Sequence, residues 1–113
     1  MAQHRTQRVA DLIQREITDL LLREVRDPRM KLATVSGVEV SGDLGHATVR
    51  ISYLGEEDAR EECLDAIRGA SGFFRSALAP KLQLRRVPEL KFVVDRGAEH
   101  SQRIHELLEE LDP

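Results

Sequence analysis

Cysteine is nearly missing from this chain: Cys63 stands alone among 113 residues. No internal disulfide can form, and a single thiol on the apolar stripe of a helix reads as buried filler. Long apolar runs are missing too. Nothing approaches the roughly 20 residues that a membrane span needs, and the stretch Met1–Arg8 offers no apolar core for a secretory signal. A nucleophile elbow, a phosphate-binding P-loop, a paired acid and base and a metal-ligating constellation are likewise absent. His100 and His105 are five apart, on different faces of a helix, with no third ligand nearby. Glu56-Glu57 and Glu61-Glu62 belong to a solvated, highly charged helix start. These absences exclude an enzyme of any common class, a cofactor or metal requirement and a membrane location, and they favour the cytoplasm.

Lysine is also scarce, with three copies against 14 arginines. The planar guanidinium fork suits phosphates and base edges. The net charge of −3 argues against a nucleic-acid partner only until it is divided along the chain. Residues 1–31 carry +2, 32–66 carry −6, 67–96 carry +5 and 97–113 carry −4. A local basic excess is what meets phosphate, whatever the whole-chain balance. With 41% hydrophobic and 33% charged residues, the chain has the composition of one globular domain with a modest core. That domain spans residues 1–113, with an ordered part of about 5–111.

The periodicity predicts a first helix from Thr6, as N-cap, to about Arg23, with Val9, Leu12, Ile13, Ile17, Leu20 and Leu21 inward. Asp11, Arg15, Asp19 and Arg23 form an ion-pair ladder along its flank, which leaves Arg5 and Arg8 as free cations. The helix stops before Asp27-Pro28, and residues 26–31 form a basic connector. Residues 34–41 and 46–53 alternate around Gly42-Asp43-Leu44-Gly45 and predict a hairpin. A second helix begins with Glu56-Glu57-Asp58 and breaks at Gly69-Ala70-Ser71-Gly72, where Ser71 is a suitable N-cap for the helix that follows. Pro80 marks a stop or distortion, residues 90–95 form a third strand, and Glu99–Glu110 a final helix. The order is α-β-β-α-kink-α-β-α, an α+β fold with a three-stranded sheet and helices packed on one face. At the kink, small residues admit another backbone and a helix N-terminus suits a phosphate. Arg68, Arg75, Lys81, Arg85 and Arg86 surround it. Phe74 fits the apolar stripe. Phe73, its neighbour, could stack on a base but is expected to pack against another helix.

Several separated blocks together resemble the ribosome-binding factor A family over nearly the whole chain. They are Arg8-Val9-Ala10, Arg23 through Arg29, Val38 through Leu44, Ala70-Ser71-Gly72-Phe73 with Arg75, Leu84 through Leu90 with Phe92 and Asp95, and His100 with Arg103-Ile104. The resemblance implies a type II KH-like domain in which an Ala-x-Gly kink, here Ala70-Ser71-Gly72, replaces the GxxG loop that clamps a nucleic-acid backbone in KH domains. It implies a non-catalytic assembly factor that binds the free small (30S) ribosomal subunit and its 16S rRNA. Such a factor supports late maturation, including 5′-end processing of the rRNA precursor, and growth in the cold. Its RNA contacts then fall on Arg68, Ala70, Ser71, Gly72, Arg75, Lys81, Arg85 and Arg86, with Arg5 and Arg8 beside them. The partners implied are 16S rRNA, the free small subunit, ribosomal proteins and other assembly factors, for a protein expected to be a monomer. The rival from residues alone is a protein–protein adaptor whose basic patch meets an acidic partner.

Overall fold

The apolar spacing of the N-terminal segment produces the longest helix in the structure, a computed structural model that describes residues 2–95. This helix, α1, runs Ala2–Arg23, so it starts a turn before Thr6, which is therefore no N-cap. Ala10, Ile13, Ile17 and Leu20 are buried, and Val9, Leu12 and Leu21 flank them half-buried. The ion-pair ladder on its flank closes at one rung, Asp19–Arg23 at 2.9 Å, while Asp11 accepts from Gln7 instead.

After α1 the basic connector is more ordered than its lack of periodicity suggests. Asp27 stands at the N-cap of a 3-10 turn, Pro28–Met30, and its carboxylate accepts from the Arg29 backbone N–H and from the Arg29 guanidinium. Those contacts, with the nearby positive charge, lower the Asp27 pKa from 3.8 to about 2. The turn drops Met30 into the core.

Strand β1 (Ala33–Val40) pairs antiparallel with β2 (His46–Tyr53), and β2 pairs parallel with β3 (Glu89–Val94), so β2 is central. Alternation puts Val35, Val38, Ala47, Val49, Ile51, Leu90 and Phe92 on one buried face. The register slips at Ser36, a bulge that brings Gly37 opposite Arg50. A side chain at Gly37 would collide with the Arg50 guanidinium, which crosses there to reach Glu39.

Parallel pairing of β2 with β3 requires a crossover, and helices α2 (Glu57–Gly69) and α3 (Ser71–Leu82) supply it. Cys63, Leu64 and Ile67 of α2, and Phe74, Leu78 and Leu82 of α3, fill the space over the sheet. The rings of Phe74 and Phe92 lie 5.7 Å apart and join α3 to β3. Burial raises the Cys63 thiol above its ordinary pKa, as expected of filler. Arg60 is buried as well, its Nη2 donating to Glu57 at 3.0 Å, a position whose charge gave no hint of burial. The helix also continues through Pro80 to Leu82. The proline falls in the last turn, where the loss of one N–H and a crowded carbonyl distort little of the helix.

The expected α-β-β-α-kink-α-β order therefore stands over the described residues, as a small α+β fold with a three-stranded sheet. The expected final helix, Glu99–Glu110, lies outside them.

Candidate nucleic-acid interface

Four arginines from three separate parts of the chain line one groove. Arg5 comes from the start of α1, Arg75 from α3, and Arg85 and Arg86 from the loop that leads into β3. The hairpin turn, Asp43 to His46, closes the far wall. The groove has a volume of about 820 Å³ and opens to solvent. Among the described residues Arg5, Arg85 and Arg86 form no ion pair, and all three are exposed. Arg75 donates from Nη2 to the Val87 carbonyl at 3.1 Å, which ties α3 to the loop carrying the other two. Of the two carboxylates at the rim, Asp43 is already engaged. It accepts from the Ser41 hydroxyl at 2.7 Å and from the Gly45 N–H at 2.9 Å, and these bonds lower its pKa. Glu89 lies 3.5 Å from the His46 imidazole.

The walls of this groove contain both non-glycine residues with left-handed backbones found among the described residues, Leu44 (φ 60°) and Gln83 (φ 54°). Each costs an L-residue roughly 1–2 kcal/mol. Leu44 is held by its N–H to the Ser41 carbonyl, and the Ser41 hydroxyl in turn accepts from the His46 N–H. Gln83 is the C-cap of α3, where a left-handed residue ends the helix and turns the chain toward Arg85. Strain of this kind collects where a surface has a task. No composition signal marks either residue, because neither is the glycine that would announce the turn.

A second groove, of about 590 Å³, adjoins the first through His46 and Glu89, which line both. Arg68, Ser71 and the strand Leu90–Val93 complete it. Arg68 is not a free cation: Nε and Nη2 both donate to the Phe92 carbonyl, at 3.2 and 3.0 Å, on the edge strand of the sheet.

Between the helices the break falls at Ala70, one residue before the expected cap. Ala70 has φ −95° and ψ 12° and caps both helices through its backbone, so Ser71 is the first residue of α3 and its hydroxyl caps nothing. The Ala70 N–H donates to the Ala66 and Ile67 carbonyls, and its carbonyl accepts from Phe74. A backbone that can serve both helix ends needs no side-chain cap. Neither Gly69 nor Gly72 has a positive φ, and a Cβ on either would meet open space. The fold itself therefore requires neither glycine, although each costs up to about 1 kcal/mol of helix propensity.

Of the candidate residues, the structure brings Arg5, Arg75, Arg85 and Arg86 into one groove and Arg68 and Ser71 into the next. Arg8, Gly72 and Lys81 are exposed and Ala70 half-buried, and none of the four lines either groove. His46, Gln83 and Glu89 are groove residues that sequence reasoning missed. Phe73 is 46% exposed, and its ring stands edge-on to that of Phe74 with centroids 5.5 Å apart. Among the described residues no three His, Cys, Asp or Glu side chains come together as metal ligands, and His100 and His105 lie outside them. No described helix is long and apolar enough to cross a membrane.

Comparison with known proteins points one way. A family model for ribosome-binding factor A matches residues 5–108. Ribosome-binding factor A of Chromohalobacter salexigens is 47% identical over 108 residues, which cover 94% of this chain and 82% of that one. The crystal structure of ribosome-binding factor A from Thermus thermophilus superposes with a TM-score of 0.72 at 27% identity, covering 81% of this chain and 97% of that one. A homology model of the Thermus thermophilus factor, fitted into a cryo-EM map of its complex with the 30S subunit, gives 0.65 at 28% identity, over 87% of this chain and 98% of that one.

Proposed function

The chain belongs to the ribosome-binding factor A family, and from that membership we propose that it binds the free small ribosomal subunit by docking its arginine groove on 16S rRNA. The observation that carries this reading is the convergence of Arg5, Arg75, Arg85 and Arg86 on one open groove, from segments that share nothing in sequence. Guanidinium groups so placed neutralise phosphates and set the protein's orientation on folded RNA, while carrying little sequence information. The relative fitted into a 30S complex supports the choice of particle. In the adjoining groove Arg68 acts through β3, holding the kink against the sheet edge, and Ser71 faces the same space. Arg8, Ala70, Gly72 and Lys81 extend the contact outside the grooves.

The protein acts as one RNA-binding domain, a monomer in the cytoplasm, by binding and not by catalysis. Bound late in assembly, it holds one rRNA conformation while maturation proceeds, including processing of the 5′ end of the precursor, and then leaves. Ribosomal proteins and other assembly factors share the particle with it.

Co-sedimentation with free small subunits, mature subunits and whole ribosomes tests the proposal. The wild type travels with free small subunits, and the double Arg85→Glu, Arg86→Glu variant, still folded, stays at the top of the gradient. Absence of the wild type from every ribosomal fraction would overturn it and favour an adaptor with an acidic protein partner.

A further inference from the structure

We propose that the open edge of β3 receives an extended peptide as a fourth strand of the sheet, so that the second groove holds a polypeptide beside the RNA in the first. The hydrogen-bond ladder singles this edge out. At the two ends of the parallel pairing with β2, the Glu89 N–H donates to the Gly45 carbonyl at 2.9 Å and the Asp95 N–H to the Ile51 carbonyl at 2.8 Å. Backbone groups along a strand alternate sides, so the odd-numbered residues from Glu89 to Asp95 face β2, and Leu90, Phe92 and Val94 turn their groups outward. β3 ends the strand order, with no strand beyond it among the described residues. One outward group has a partner: the Phe92 carbonyl accepts both bonds of Arg68. The N–H groups of Leu90 and Phe92 and the Leu90 carbonyl have none among the described residues. A row of unpaired donors and acceptors on an extended strand is a template for another strand.

The groove along this edge has the chemistry of a peptide site. Its volume of about 590 Å³ is that of an ordinary ligand pocket, and Leu90, Phe92 and Val93 line it. Its charges nearly cancel. The Arg68 guanidinium is engaged on a backbone carbonyl, Glu89 faces His46, and Lys91 makes no ion pair among the described residues. The neighbouring groove holds four arginines, so a chain of phosphates finds its counter-charge there and not here. Nor does a phosphate chain carry the alternating N–H and carbonyl groups that match a strand edge. A peptide carries them. Its backbone pairs with Leu90 and Phe92, and an acidic side chain on its outer face meets Lys91, since opposite charges on adjacent strands attract. Arg68 sets where the pairing stops, because its guanidinium already covers the Phe92 carbonyl. The partner is therefore a short extended segment of a protein, with an acidic residue among alternating apolar ones.

The Leu90 N–H takes no part in the ladder, so Leu90→Pro removes an edge donor and leaves every ladder bond in place. The probe is an N-acetylated peptide of alternating valine and threonine with one central aspartate, and amide hydrogen exchange followed by NMR reads each N–H of β3. In the free protein Leu90 and Phe92 exchange faster than Lys91 and Val93. With peptide at about ten times its dissociation constant, exchange at Leu90 and Phe92 slows about tenfold. Lys91→Glu weakens the peptide by about 2- to 10-fold, Leu90→Pro by about 2- to 10-fold, and the Arg85→Glu, Arg86→Glu variant binds it like the wild type. The same peptide, N-methylated on the side that faces β3, does not bind. Should Leu90→Pro unfold, the exposed Lys91→Glu and the methylated peptide decide the matter. Unchanged exchange at Leu90 and Phe92 with the peptide in excess would overturn the proposal, as would equal binding of the methylated peptide. Slowing of the same two amides by an unstructured oligoribonucleotide, and not by the peptide, would overturn it in favour of RNA at this edge. The arginine groove stands or falls separately, by the co-sedimentation described above.

Discussion

Asp27 illustrates how one side chain can stabilise a segment that has little core of its own. Its carboxylate caps the 3-10 turn and pairs with Arg29, and its pKa in the folded chain is about 2 against an ordinary 3.8. A depressed carboxylate contributes stability that is present above its ordinary value and lost as pH falls through the folded value. Asp27→Asn therefore unfolds more readily than the wild type at neutral pH, and the difference between them shrinks between about pH 4 and pH 2. Chemical denaturation at a series of pH values reads this directly; a constant difference down to about pH 2 would show that the charge of Asp27 is not what matters. Gly72 lies at the opposite extreme. Nothing in the fold requires it, so Gly72→Ala is expected to raise stability, by up to about 1 kcal/mol. A loss of stability in urea denaturation would mean that the kink depends on a backbone freedom its φ does not reveal.

At the scale of elements, α3 is the least self-sufficient helix. Much of its surface is polar, small or exposed, and it holds its place chiefly through Phe74, Leu78 and Leu82. Phe74→Ala removes the ring that meets Phe92 and is expected to cost about 3–5 kcal/mol, a large share of a small domain's stability. Thermal unfolding followed by circular dichroism checks it; a loss under about 1 kcal/mol, well below the range for a buried ring, would mean that the kinked helices are anchored elsewhere. The strands and helices were legible in the sequence because each buries a single face, and periodicity reports single faces well. Met30 and Arg60 escaped that reading. Met30 is placed by a three-residue turn too short to show a period, and Arg60 carries a charge that argues for the surface while its stem lies in the core. Pro80 misled in the other direction, since its effect depends on how much helix follows it.

For the molecule as a whole, the proposed docking of the basic groove on RNA predicts its behaviour in salt. Four phosphates neutralised by Arg5, Arg75, Arg85 and Arg86 imply a slope of log affinity against log salt of about −3 on single-stranded RNA. Removing Arg85 and Arg86 halves it. Fluorescence anisotropy over a salt titration measures both; a slope near zero would remove phosphate neutralisation from the account. The four arginines were each readable as candidates, but their convergence was not, because it depends on two left-handed residues and a hairpin turn that bring distant segments together. Lys81 and Arg8, equally basic, fall elsewhere for the same reason.

The parallel pairing of β3 with β2 has a further consequence, for the timing of folding. The hairpin closes over a short turn, but β3 must wait for the whole crossover of α2 and α3 to dock before it can add to the sheet. The groove takes one wall from the beginning of the chain and another from the residues just before β3. A nascent chain that holds Arg5 without Arg85 and Arg86 lacks one wall of that groove. On the proposed reading, the groove is complete only once the residues that lead into β3 have been made and docked.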